Sequence, residues 1–115
     1  LIINAAINPL TALLRVPNGE LLSHPWARRA MSALAREAAE VALAEHVNLP
    51  FNNPTEAVEE VARKTAKNLS SMFQNVRRGA PTEIDAICGA VTRRGEAHGI
   101  DTPFNRSCWQ LVKAM

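Results

Sequence analysis

The chain has 115 residues, enough for one domain with a buried core and too few for two. Hydrophobic residues make up 47%, charged residues 21%, and the formal net charge is +2, an ordinary globular balance whose small charge is weak evidence for any partner. Arg28, Arg29, Arg36, Arg77, Arg78, Arg93 and Arg94 are scattered among acids and there is no Tyr, so the one-sided basic stripe with stacking aromatics of a nucleic-acid binder is missing. No apolar run approaches the roughly 20 residues that span a bilayer, and the opening lacks a basic n-region, so neither a membrane span nor a signal peptide is read and a cytoplasmic protein is expected.

The chain opens on an apolar helix that carries its own contradictions. Asn4 and Asn8 are one helical turn apart and so share a face. Pro9 follows at once, with no N–H for the carbonyl of Ala5 and a ring that crowds it, at a cost of about 3 kcal/mol in a helix interior. One reading is a kinked helix that uses this face; the other is a turn between two short helices, with Asn8 capping the second. No Ser, Thr, Asp or Asn cap precedes Leu1-Ile2-Ile3, so the chain is expected to start inside a helix, as a piece of a longer protein.

Val16-Pro17-Asn18-Gly19 is a turn, with Asn-Gly offering residues that tolerate φ > 0. A second helix is predicted from Ser23 as cap and Pro25 in the first turn, with Trp26, Ala30, Met31, Leu34, Ala38, Val41 and Ala42 as its apolar stripe. After the loop Asn48–Asn53, a third helix starts at Pro54 and runs with Val58, Val61, Ala62, Thr65, Leu69, Met72, Phe73 and Val76 inward until Gly79. Ser70 and Ser71 inside it read as an exposed or back-bonded pair. A fourth helix is predicted from Pro81 to Gly99, with Thr82 and Asp85 at capping-box spacing, Glu83 as a first-turn acid at the positive dipole end, and Gly89 at a close helix approach. Thr102-Pro103 opens a fifth, with Phe104, Cys108, Leu111 and Val112 facing in. No segment alternates with period 2. The fold class is all-α, about five helices around one core over residues 1–115.

Few residues read as chemistry. Cys88 and Cys108 have no ligand-spaced partner and read as small buried residues, so no metal site is expected. His24, His46 and His98 are dispersed.

Five spaced elements taken together carry a resemblance: Asn4-x3-Asn8-Pro9-Leu10-Thr11-Ala12, Pro17-Asn18-Gly19, Ser71-Met72-x-Gln74-Asn75, Thr82-Glu83-Ile84-Asp85 with Gly89, and His98-Gly99-Ile100 before Pro103. Over the whole chain this resembles the C-terminal domain of ketopantoate reductase (2-dehydropantoate 2-reductase). The resemblance implies a helical substrate-binding domain like that of 6-phosphogluconate dehydrogenase-type enzymes. The whole enzyme would reduce ketopantoate to pantoate with NADPH, on the way to pantothenate and coenzyme A. It further implies substrate contacts from Asn4, Asn8, Asn18 and Ser71, and a cofactor-side role for Glu83 near the nicotinamide ribose. Carboxamides and hydroxyls suit that task, since they supply both donors and acceptors to a hydroxylated 2-keto acid. The family's general-acid lysine would be the residue just ahead of Leu1, and no G-x-G-x-x-G follows a strand, so the N-terminal Rossmann domain is absent from this chain. Alone, the chain is expected to be inactive. Asn75 stands where the family usually has Asp. The other function class is a stand-alone helical interaction or dimerisation module without catalysis. The exact 2-keto acid, NADPH against NADH, and the oligomeric state, a homodimer included, stay open.

Overall fold

The computed structural model describes residues 1–115 and holds seven α-helices and one 3-10 turn, with no strand. They are α1 (Ile2–Leu14), α2 (Glu20–Ser23), α3 (Pro25–Ala44), α4 (Pro54–Lys64), α5 (Ser71–Arg78), the 3-10 turn Ile84–Ala86, α6 (Cys88–Ala97) and α7 (Pro103–Lys113). No helix is long and apolar enough to cross a membrane.

The centre of the bundle is α1, which packs against α3, α4, α5 and α7. Ile2, Ala5, Ala6, Ile7, Pro9, Leu10, Thr11 and Ala12 are all buried, as a helix apolar on most of its circumference must be in a soluble core. Small residues let neighbours come close: Ala27, Ala35, Ala38 and Ala39 of α3 are buried beside Met31, Leu34 and Val41. Of the two readings of Asn8-Pro9, the single helix holds, because α1 runs unbroken through Pro9.

All five predicted helices have counterparts, and the structure subdivides two of them. The segment predicted as one helix from Pro54 to Val76 stops at Lys64 and restarts at Ser71. The physical reason lies in the turn before α2. The N–H groups of Asn18 and Gly19 take the carbonyls of Asn68 and Ala66 at 3.0 Å each, and Thr65 turns its hydroxyl back to the carbonyl of Val61 at 2.7 Å, so these groups do not continue a ladder. Ser70 then caps α5, its Oγ accepting from the Phe73 N–H at 3.0 Å. Ser70 is therefore a buried cap rather than an exposed or back-bonded mid-helix serine.

The predicted fourth helix begins with the 3-10 turn instead of a capping box. Asp85 faces α7, accepting from Trp109 Nε1 at 2.7 Å and from Lys113 Nζ at 3.2 Å. The Trp109 hydrogen bond, and then Lys113, hold its carboxyl below the usual range. Ser23 is the last residue of α2, and His24 occupies the cap of α3 without a side-chain bond.

Three predicted core residues face solvent. Trp26 is 77% exposed with the Arg29 guanidinium 4.8 Å from its ring centroid, and Ala27 takes the inward position in the first turn of α3. Phe104 and Leu111 are also exposed. On α7 a polar anchor decides the face: Glu37 of α3 accepts from the N–H groups of Phe104 and Asn105 (3.0 and 2.9 Å) and from Asn105 Nδ2 (2.9 Å). That carboxylate caps the helix start and turns Asn105, Cys108 and Val112 inward.

Gly19 has a conventional φ of −67°, so its reason is space and not a left-handed conformation. A Cβ there would lie 2.5 Å from the Ala66 Cβ and 2.8 Å from its Cα. Gly19→Ala is expected to cost about 1–3 kcal/mol of stability by overpacking, read as a lower urea midpoint; an unchanged midpoint would contradict this close approach.

Candidate functional site

The site expectations concentrate on one stripe of α1. Asn4 is exposed, Asn8 half-buried and Thr11 buried, at the 4- and 3-residue spacings that line up on a helix. Neither carboxamide makes a hydrogen bond within the chain, whereas Thr11 does. Its hydroxyl donates to the carbonyl of Asn8 at 2.9 Å and lies 2.6 Å from Ser70 Oγ, which ties the start of α5 to the turn of α1 that carries Asn8. Ser71, exposed at the first position of α5, leaves its own hydroxyl unengaged. The N–H groups of Ser71 and Met72 likewise have no acceptor in the chain, so the positive end of α5 is open to an anion.

Pro9 makes this stripe costly, and the structure compensates. The carbonyl of Ala5 loses its helical partner to Pro9 and lies at a residue with no exposure. The Cys88 thiol, at the start of α6, donates to it at 3.7 Å. Burial, then the neighbouring Cys108 and Glu37, push the Cys88 thiol up, so it keeps its proton to give. Cys108 is pushed up to about 11, by burial first. Both cysteines are buried and free, and no group of His, Cys, Asp or Glu side chains is arranged to hold a metal ion.

Asn18 is held on another element, the turn before α2. It is buried, its Nδ2 donates to Thr65 Oγ1 at 2.9 Å, and its Oδ1 is buried with no partner. Thr65 has already spent its hydrogen on Val61, so the orientation of the Asn18 amide is fixed and the orphan is an acceptor. As the chain stands, Asn18 clamps the turn before α2 to the 65–70 segment and makes no bond to Asn4, Asn8 or Ser71.

Glu83 is exposed ahead of the 3-10 turn, and its carboxylate makes no hydrogen bond or ion pair in the chain. Asn75 spends its Oδ1 on Arg78 at 2.8 Å.

A cleft of about 410 Å3 opens at the N-terminal end of α1. Its walls are mostly apolar, from Ile2, Ile3, Val41, Leu49, Phe51 and Val91, with Asn4, Glu45 and Arg94 as polar members. Asn8, Asn18, Ser71 and Glu83 do not line it. Of the predicted residues only Asn4 lines this cleft; Asn8 shares its stripe on α1, and the structure does not gather all five in one enclosed pocket. Sequence reasoning passed over Thr11 and Ser70. The signal for Thr11 was present, three residues after Asn8 on the same stripe; nothing local pairs it with Ser70, 59 positions away.

An all-helical domain built on a helix that carries an internal proline, with a face of neutral donors and acceptors, is the class that fold and site define. The chain belongs to the family described as ketopantoate reductase PanE/ApbA C terminal, which matches residues 1–115. It is 49% identical over 114 residues to a 2-dehydropantoate 2-reductase of Pyrobaculum aerophilum, covering 99% of this chain and 40% of that protein. Among solved structures it is similar to a PanE/ApbA family ketopantoate reductase from Ralstonia eutropha, with a TM-score of 0.91 and 35% identity over 98% of this chain and 38% of that one. It is also similar to a D-mandelate dehydrogenase solved with NADH, with a TM-score of 0.89 and 28% identity over 98% of this chain and 44% of that one. The chain spans about two fifths of the length of these ketopantoate reductase relatives.

The pairing of Pro9 with Cys88 can be tested in a double-mutant cycle. Cys88→Ala is expected to cost about 1–3 kcal/mol by stranding the Ala5 carbonyl and opening a void. In a Pro9→Ala background residue 9 regains its N–H, and the same change is expected to cost about 0.5–1.5 kcal/mol less. Additive effects on urea unfolding would show that the thiol does not serve that carbonyl.

Proposed function

We propose that this chain is the substrate-side domain of an NADPH-dependent 2-dehydropantoate 2-reductase, acting with an N-terminal Rossmann domain to reduce ketopantoate to pantoate in the cytoplasm. The observation that carries the proposal is the pair of unengaged carboxamides of Asn4 and Asn8 on α1, beside the open N-terminus of α5 at Ser71. Ketopantoate offers a carboxylate, a keto oxygen and a hydroxyl. The Ser71 hydroxyl and the free N–H groups of α5 suit the carboxylate. The two carboxamides suit the keto and hydroxyl oxygens. Asn18 enters the same scheme through its orphaned Oδ1: an unmet buried acceptor costs about 1–3 kcal/mol, which a donor hydroxyl would relieve once the side chain opened toward it.

The residues of this chain that face a cofactor are few. Glu83 has a free, exposed carboxylate able to accept from a ribose hydroxyl, and the NADH bound by the D-mandelate dehydrogenase supports a pyridine nucleotide. The preference for NADPH rests on the family resemblance. The chemistry supplied by that cofactor when bound is hydride delivery to the keto carbon. A proton must then reach the new alkoxide. The Ala5 N–H already donates to the carbonyl of Leu1 at 2.8 Å, so helical geometry extends back to Leu1. A lysine just ahead of Leu1 would fall on the stripe of Asn4 and Asn8, where its ammonium can give that proton.

The 115-residue chain alone is expected to show no oxidation of NADPH with ketopantoate; turnover by it would sink the two-domain reading. Joined to its dinucleotide-binding domain, it should turn over. In that enzyme Asn8→Ala is expected to lower kcat/KM for ketopantoate by about 10- to 100-fold, as loss of one or two transition-state hydrogen bonds does. Glu83→Ala should act mainly on KM for the nucleotide. The reverse assignment of the two effects would reject these roles.

A further inference from the structure

We propose that Thr11 and Ser70 are positioning residues, a buried hydroxyl relay that sets the span between the Asn8 carboxamide and the Ser71 hydroxyl and so the grip on the 2-keto acid. The inference rests on the substrate reading above and deepens it.

The hydrogen count fixes the direction of the relay. Ser70 Oγ accepts from the N–H of Phe73 at 3.0 Å. Thr11 has a single hydroxyl hydrogen, and it points at the carbonyl of Asn8, 2.9 Å away. The 2.6 Å contact between the two hydroxyls is therefore filled by the hydrogen of Ser70. The sequence runs Phe73 N–H to Ser70, Ser70 to Thr11, and Thr11 to the Asn8 carbonyl, each donor polarising the next. Thr11 has no exposure and Ser70 is 6% exposed, so water does not substitute for a lost link.

Both ends of the relay adjoin a proposed substrate contact. One end is the backbone of Asn8 itself; the other is the residue immediately before Ser71. This relay is the only side-chain hydrogen bond between α1 and the cap of α5. Phe73 also packs in the core and lies under the Arg15 guanidinium, 5.8 Å from its ring centroid, contacts that are less directional than a hydroxyl hydrogen bond. Direction and length come from the hydroxyls. Back-bonding by Thr11 also tilts the Asn8 carbonyl, as Ser and Thr do inside helices, just where Pro9 has loosened the ladder.

Two measurements test this, one without catalysis. In the 115-residue chain, Thr11→Val keeps the shape and removes the relay, whereas Thr11→Ser keeps the hydroxyl. Hydrogen exchange at the amide of Phe73 should speed up about tenfold or more in Thr11→Val and stay near wild type in Thr11→Ser, with the amides of α3 unchanged in both. In the enzyme that carries this domain, Thr11→Val should raise KM for ketopantoate about 5- to 20-fold, leave KM for NADPH unchanged, and be rescued by Thr11→Ser. Should Thr11→Val not fold, Ser70→Gly breaks the same link with a residue that a helix cap tolerates and should give the same KM split. Equal loss for both substrates, no rescue by serine, or uniform exchange across the chain would overturn the proposal. A wild-type enzyme inactive on ketopantoate overturns the functional reading instead, and the exchange pattern then decides the relay by itself.

Discussion

Pro9 sits in the helix that α3, α4, α5 and α7 all pack against, and the polar group it orphans cannot reach water. A buried carbonyl without a donor costs about 1–3 kcal/mol, on top of the penalty of an interior proline. The fold answers from the other end of the chain: the first residue of α6 brings a thiol to the Ala5 carbonyl. This ties α6 to the middle of α1 and leaves the opposite, wetter stripe free to hold two asparagines with no internal partner. A central helix in a bundle has little surface of its own. What α1 does expose is almost entirely Asn4, Asn8 and the apolar ends, and that economy is why its short polar stripe dominates the functional argument.

Several helix ends were readable because their determinant is local, though the local signals at Ser23 and Thr82 misled. Asn53 accepts from the Glu56 N–H at 3.1 Å as a cap should, and Gly79 and Gly99 adopt the left-handed conformation that ends a helix. Gly89 stands where a Cβ would meet Trp109 at 2.8 Å, as its place in an apolar face suggested. Two of the failures share a different cause. The gap between α4 and α5 and the outward Phe104 of α7, whose Cys108 and Val112 do face in as expected, are each decided by a group far away in sequence: the N–H groups of Asn18 and Gly19, and the carboxylate of Glu37. Helical periodicity reports an average apolar face; it does not report that a carboxylate 68 residues away has claimed Asn105.

The same division runs through the site. Asn4 and Asn8 were legible because two mid-helix carboxamides and a proline are individually unfavourable, and their spacing aligns them. Asn18 was legible as a special residue but not as a buried one. The turn it belongs to reads as a surface feature, and only the 65–70 segment folding over it hides its side chain. Ser70 and Ser71 look alike in sequence, yet the backbone makes one a sequestered cap and the other the free head of α5. A shift of one residue exchanges those roles, and no local rule distinguishes them.

The face so formed is neutral, and that has a chemical consequence in the proposed reading. Carboxamides, a hydroxyl and two open N–H groups can orient an anionic keto acid, but in contact with water each is worth about 1 kcal/mol. A cation would bind the carboxylate more tightly, in ground state and transition state alike, and so add nothing to the chemical step. Neutral groups held in fixed geometry gain most of their strength when water is excluded. Asn4 is exposed and Asn8 half-buried with nothing over them in this chain, so the strength of the face depends on what closes against it. In the proposed reading, a substrate half of this design would bind weakly when open and become selective on closure, and the coupling between binding and reduction would lie in the docking of the two domains rather than in any single residue of either.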